Sequence, residues 1–300
     1  MSDWLISIEG TELGRQVAMG LALLAAFSHA VFGALQKGRY DPWLTRGAID
    51  ANYALMAAPF ALFVVPWPEP HMWPIFAGMM VIHIGYKWFQ AMAYSRGAYT
   101  VVYPVVRGTG PLVTVIAAGF VFSETFTPVQ WAGVLALSGG IFGLAAFNLT
   151  RVNIDAPRLR AALGLAFITG LFVALYTTYD AYGIRATANP FTFLAWFFFL
   201  DGLVFPVLGI MRYRAMPSPP PLGGLLKRGF IGGLIAYISF GSVMMATRLD
   251  KVGEAAVLRE TSTVIAAIIG WLVLKETVGW VRAVLMATIA LGAIIVEFGG

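Results

Sequence analysis

The sequence predicts an all-α integral membrane protein of ten transmembrane helices, built as two inverted five-helix repeats. Three observations predict it. The chain of 300 residues is 59% hydrophobic and 12% charged, with a mean hydropathy of +0.78, which is about half the charge of an ordinary soluble domain. Its apolar runs are each about 20 residues long, the length that crosses hydrocarbon as a helix. Finally, Arg96 to Thr125 recurs without a gap at Arg248 to Thr277, pairing Arg107 with Arg259, Thr109 with Thr261 and Glu124 with Glu276. Five crossings per copy bring the second copy in from the opposite side. Inverted copies of this kind hold solute at their interface near the bilayer midplane.

The spans are expected at 17–35, 44–65, 72–94, 98–121, 129–147, 161–180, 191–211, 225–247, 254–274 and 280–298. The first follows a polar, acidic start with Asp3, Glu9 and Glu12, unlike the basic leader of a signal peptide. There, Trp4, Leu5 and Ile8 form either the apolar side of a short interfacial helix or part of a frayed tail. Pro66 to Pro70 ends the second span, Ser123-Glu124-Thr125 the fourth, and Asn189-Pro190 opens the seventh. The polar stretch Asn148 to Arg160 is the midpoint linker, giving repeats of 1–152 and 153–300. Runs such as Leu234 to Ile238 do not alternate residue by residue, which argues against a β-barrel. The 33 glycines suit close helix packing in lipid.

With no cysteine, disulfides and thiolate metal sites are excluded. The net charge of +5 belongs to loops rather than to a basic tract, so nucleic acid is not expected as a partner; the lipid bilayer and a small solute are. No phosphate-cradling GxxxxGK[ST] loop, HExxH pair or GxSxG elbow occurs, so neither an ATPase, a metal centre, a cofactor nor an enzyme is expected.

Ala98 to Gly143 resembles the EamA-type repeat of the drug/metabolite transporter superfamily. Pro111 stands for its mid-span proline and Glu124 for its closing glutamate. Thr127, Gln130 and Gly133 match its T-x-x-Q-x-x-G opening, and Gly139, Gly140 and Gly143 its glycine-rich helix. The second copy keeps Glu276 and Gly292 but has Thr263 near the proline position and Arg282 in place of Gln130, so its helix is expected to be less kinked. Arg46, in Trp43-Leu44-Thr45-Arg46, matches the arginine that often opens the second helix of the family. The resemblance implies a multi-pass secondary transporter of the cell (inner) membrane that moves a small metabolite by alternating access. Whether it exports or exchanges, and whether it is a homodimer, stays open.

Charges inside apolar spans are expensive and mark functional sites. Lys87, Arg107 and Arg259 are candidates for a cationic clamp on an anionic or zwitterionic solute, because guanidinium forks match carboxylate and phosphate. The phosphate-translocating branch of the superfamily resembles this in using basic side chains on spans four and nine. His83 lies one turn before Lys87; Tyr99, Tyr103 and Arg107 share one face of span four, and Tyr176, Trp88, Phe198 and Trp196 are stacking candidates. His29, Asp180, Asp201 and Glu260 are proton carriers or ion-pair partners, with Asp50 a further partner. Internal pairing that merely locks helices is the competing reading. A lipid flippase on the same scaffold, or a membrane subunit that transports nothing, are the rival functions.

Orientation is contested. The family places both termini in the cytoplasm. The loops sharing that side would carry Arg15, Arg185, Arg248 and Lys251, whereas the opposite loops would hold Lys37, Arg39, Arg46, Arg151, Arg158, Arg160, Arg212, Arg214, Lys227 and Arg228. The excess of Lys and Arg in cytoplasmic loops favours termini outside.

Overall fold

The structure, a computed structural model, describes residues 2–36, 40–97, 99–150, 156–272 and 279–300, with backbone alone at 33–36, 99–101, 267 and 270–272. Lys37, Arg39, Arg151, Glu276, Thr277 and the boundary between 152 and 153 lie outside the described residues, as do the side chains of Gln36 and Tyr99. Every described element is a helix.

Among the described residues, eight segments are long and apolar enough to cross a membrane: Glu12–Phe32, Pro42–Val64, Val102–Phe122, Pro128–Leu149, Ala156–Ala186, Pro190–Arg214, Leu222–Leu249 and Trp280–Phe298. The third expected span is present as α4 (Met72–Arg96), a 25-residue helix whose apolar run is diluted by His83, Lys87 and Gln90. The ninth is divided into α11 (Val252–Arg259) and α12 (Ser262–Leu272).

The other elements are α1 (Ser2–Ser7), α2 (Glu12–Gln36), α3 (Pro42–Pro59), α5 (Tyr99–Phe122), α6 (Pro128–Leu149), α7 (Ala156–Ala186), α8 (Pro190–Asp201), α9 (Val204–Arg214), α10 (Leu222–Leu249) and α13 (Trp280–Phe298). Asp41 caps α3 by accepting from the amides of Trp43 and Leu44, as an Ncap side chain satisfies the first orphan donors. A π-helical turn at Phe60–Val64 carries α3 onward. Thr127 and Gln130 form a reciprocal capping box on α6, so the family's T-x-x-Q spacing has a direct local cause. Asn189 caps α8 through the amide of Phe191.

The N-terminal alternative resolves as a helix. Leu5 and Ile8 are buried, and Glu9 pairs with Arg248 at the end of α10.

The expectation of a less kinked second copy is overturned. The helix α5 runs unbroken through Pro104 and Pro111, while the proline-free counterpart stops at Glu260. There the amides of Glu260 and Thr261 bond back only three residues, to Val257 and Leu258. The Thr261 hydroxyl adds a 2.7 Å bond to the Leu258 carbonyl. Short-range hydroxyl bonding competes with helix continuation, which a search for proline does not detect.

The helices pack as α2 on α10, α4 on α7, α5 on α7 and on α6, α11 and α12 on α2, α3 on α8 and α9, and α6 on α13. Glycines set the closest approaches. A Cβ at Gly133 would lie 2.7 Å from the Gly292 carbonyl oxygen, and one at Gly292 the same distance from that of Gly133. The α6–α13 contact is therefore backbone against backbone, as small residues permit in lipid.

Candidate functional site

Ionisable side chains from α3, α4, α5, α7, α8 and α11 meet in the interior. Asp50 and Arg46 are four residues apart on α3, one helical turn, and Arg46 Nε lies 2.8 Å from Asp50 Oδ1. From α4, Lys87 reaches the other oxygen, Oδ2, at 2.6 Å. The same ammonium lies 2.8 Å from Asp201 Oδ1 and donates to the Tyr53 hydroxyl and the Asp201 carbonyl at 2.9 Å each. Tyr53 in turn donates to Asp201 at 2.5 Å. His83, one turn before Lys87, sits 2.9 Å from Asp180 through Nε2 and 3.5 Å from Asp201 through Nδ1. Contacts therefore run unbroken from Arg46 through Asp50, Lys87, Asp201 and His83 to Asp180. With Lys87 1% and Asp50 0% exposed, this network is buried.

A second group gathers on α5 and α11. Glu260 is shared by two arginines: Arg107 Nε lies 2.7 Å from Oε2, and Arg259 Nε 3.8 Å from Oε1. Arg107 also donates to the Ser262 hydroxyl at 3.2 Å. Arg107 is 4% and Arg259 3% exposed. The closest Arg46 and Arg107 contacts bring charges together without an aligned N–H. Tyr103 stacks on His29, with ring centroids 6.3 Å apart, and its face lies 5.8 Å from the Arg107 guanidinium.

Between the two groups lies a small cavity of about 30 Å³, room for about one water. Its polar walls are His29, Arg46, Tyr86, Gln90, Tyr94, Tyr103 and Arg107; Phe32, Val106, Val173 and Phe240 complete it. Among the described residues, the lining holds two guanidiniums and no carboxylate. Asp50 and Glu260 stand behind the arginines, each shared with a second cation. The wall thus combines cations whose counter-charges are set back with hydroxyl and amide groups around them, the kinds of donor that pair with carboxylate or phosphate.

Residues 160–298 match the model of the EamA-like transporter family. The second half of the chain is thus similar to that family over nearly its whole length. No curated protein sequence matches the chain. A solved structure described as "Crystal structure of protein" superposes with a TM-score of 0.75 at 18% identity, covering 95% of this chain and 98% of its own; that likeness shows a shared fold. With its apolar helices and its match to that family model over residues 160–298, the chain reads as a multi-pass membrane protein.

The matched half supplies Asp180, Asp201, Arg259 and Glu260, and the preceding half supplies Arg46, Asp50, His83, Lys87 and Arg107. The sequence candidates divide unequally. Arg107, Tyr103 and His29 line the cavity. Lys87, His83, Asp180 and Asp201 form the network beside it, and Arg259 shares Glu260 with Arg107. Tyr176 is buried against the rings of His83 and Tyr86. Trp88 stands apart: it is 44% exposed, with its ring edge-on to Trp43. Trp196 packs on Trp67 and Trp73.

Arg46 is the residue that sequence reasoning misplaced. Counted there as a loop charge, it stands within α3 and is largely covered, its side chain 13% exposed. Its i,i+4 spacing to Asp50 was the available signal. Gln90 and Tyr94, one and two turns beyond Tyr86, extend the same polar face of α4.

Glu124 holds the matched half in register. Its carboxylate accepts from the amides of Val252 and Gly253 at 2.7 and 3.0 Å, capping α11, the helix that carries Arg259. Arg185 lies 3.7 Å away. Burial nonetheless pushes the Glu124 carboxyl above its ordinary range, against the pull of the two amides.

Proposed function

We propose that the protein is a secondary transporter of a small anionic solute, working by alternating access in the inner membrane of the cell. In this reading ten helical crossings form two inverted repeats, 1–152 and 153–300. α4 and the α11–α12 pair supply the two crossings that are not apolar enough or not continuous. The pairing of helices supports it. Exchanging the first five crossings for the second five turns the α2–α10 contact into α7–α4 and the α5–α7 contact into that of α11 and α12 with α2, and maps α6–α13 onto itself. The site then lies where the repeats face one another, as in other inverted-repeat carriers.

One observation carries the solute class: the cavity is walled by Arg46, Arg107 and neutral donors, with its carboxylates withdrawn. At about 30 Å³ it has room for no more than water, so solute entry requires the helices to part. Uptake of labelled small carboxylates and phosphate esters into proteoliposomes tests the reading. Arg107→Ala and Arg259→Ala should each abolish uptake while the purified protein stays monodisperse. Full uptake by either variant removes that arginine from the site.

A second reading has its own observation. An open apolar groove of about 820 Å³ lies among α1, α2, the π-helical turn, α8 and α10, with Leu21, Phe60, Leu194 and Ile238 in its walls. A groove of this kind would suit the acyl chain of an amphiphile, as a flippase requires. Lipid scrambling by the same proteoliposomes separates the two readings, since the anion carrier moves soluble solute without it.

A further inference from the structure

The interior charges balance. Among the described residues the site holds Arg46, Lys87, Arg107 and Arg259 against Asp50, Asp180, Asp201 and Glu260, four cations and four carboxylates. With these eight groups ionised and the imidazole uncharged, the empty site would carry no net charge, and the unloaded carrier could reorient without a buried excess. A monoanion entering alone leaves one uncompensated negative charge in a water-poor interior, which is costly.

We propose that the anion binds together with one proton, and that the proton is held by His83 between Asp180 and Asp201. This rests on the anionic-solute reading above. The neutral ring donates its Nε2 proton to Asp180 across 2.9 Å, and Nδ1 stands 3.5 Å from Asp201 Oδ1. The incoming proton comes from water, bonds to Nδ1 and is donated to Asp201. The result is an imidazolium clasped by two carboxylates, a charge-assisted arrangement.

The groups around the ring are set for this. On its own helix α4 are Tyr86 and Lys87; on α7, Tyr176 and Asp180; on α8, Phe197 and Asp201. Asp50 and Tyr53 of α3 reach it through Lys87, and Arg259 of α11 is within electrostatic reach of Asp180. Asp180 Oδ1 has no hydrogen-bond donor, and the buried Thr177 hydroxyl one turn earlier has no partner. Asp180 is therefore under-satisfied, with one oxygen that neither a hydrogen bond nor a described ion pair engages.

The cavity and His83 are joined by ion pairs rather than by distance alone. An anion that engages Arg46 releases Asp50 to Lys87. Lys87, better matched by Asp50, relaxes its hold on Asp201, which is then free to accept the hydrogen bond from the imidazolium Nδ1. By linkage the effect is reciprocal: the proton tightens the anion as much as the anion tightens the proton.

The test is thermal unfolding of the whole purified protein with acetate, L-lactate, methyl phosphate and methanesulfonate, at about pH 6 and about pH 8.5, either side of the ordinary imidazole range. Wild type should bind at least one of these anions more tightly at the lower pH, by up to about tenfold per pH unit for one linked proton. His83→Gln should bind weakly at both pH values. Asp180→Asn leaves the site with a permanent positive excess. It should therefore bind the anion at pH 8.5 as wild type does at pH 6, a gain that a merely structural Asp180 does not produce. An anion that binds wild type equally at both pH values overturns the proton and leaves the anion reading standing. Asp180→Asn binding no tighter than wild type at pH 8.5 also overturns it. Stabilisation by none of the four anions at either pH overturns both.

Discussion

Replacing Glu260 with Gln isolates one charge with little change of shape. The carboxylate is 0% exposed and serves both Arg107 and Arg259. Gln keeps an acceptor but leaves two buried guanidiniums without a counter-charge. Removing one partner of a buried pair costs about 3–5 kcal/mol; the retained acceptor puts this case near the lower figure, about 3 kcal/mol. At about 2–4 °C per kcal/mol for a chain of this size class, the unfolding midpoint in detergent should fall by roughly 6–12 °C. The loss should be reversible by solute. A small anion at a hundredfold excess over its dissociation constant stabilises by about 2.7 kcal/mol, enough to recover most of the deficit, and it should raise the midpoint of the variant more than that of wild type. A Glu260→Gln protein as stable as wild type, or one that anions stabilise no more than wild type, would refute the assignment of Arg107 and Arg259 to one shared carboxylate.

Other outcomes follow from single contacts. Glu124→Ala removes the acceptor for two amides at the start of α11; by analogy with cap deletions it should cost about 1–2 kcal/mol in unfolding experiments and reduce anion uptake, because α11 carries Arg259. Gly133→Leu places a side chain where the Gly292 carbonyl stands and should lower the unfolding midpoint sharply, whereas Gly139→Leu, whose Cβ position is open, should change it little. At Glu69, in the turn between the π-helical segment and α4, burial pushes the carboxyl up, but its own amide, the Ala188 amide and His71 outweigh it and hold the group below its ordinary value. A depressed carboxyl contributes stability above its unfolded value and loses it as pH falls through the folded one. Glu69→Gln should therefore be slightly destabilising at neutral pH and match wild type in acid, measured as midpoint against pH.

The helices were legible because hydrocarbon permits little else: long apolar runs broken by Pro, Gly and charge fix where chain enters and leaves lipid. The interruption at Glu260–Thr261 was not, because it depends on a hydroxyl competing for one carbonyl rather than on a helix breaker. The candidate site was legible as a list of misplaced charges. Lys87, Arg107, Arg259, Asp180, Asp201 and Glu260 stood out because each interrupts an apolar run. Their pairing was hidden, since which carboxylate meets which cation is settled by helices far apart in sequence, as with Lys87 and Asp201. Arg46 was misread because it sits near a helix start, where a cation is ordinarily solvated. Trp88 was misassigned to the interior because it follows Lys87 directly, and neighbouring helical residues point in different directions.

The proposed transport requires a buried pocket that prefers negative charge. Its most direct measurement is uptake into proteoliposomes of labelled small monoanions beside cations and neutral solutes of matched size. The account predicts accumulation of at least one anion above the level of protein-free vesicles, with cations and neutral solutes at that background. Cations or neutral solutes accumulating while every anion stays at background would contradict it.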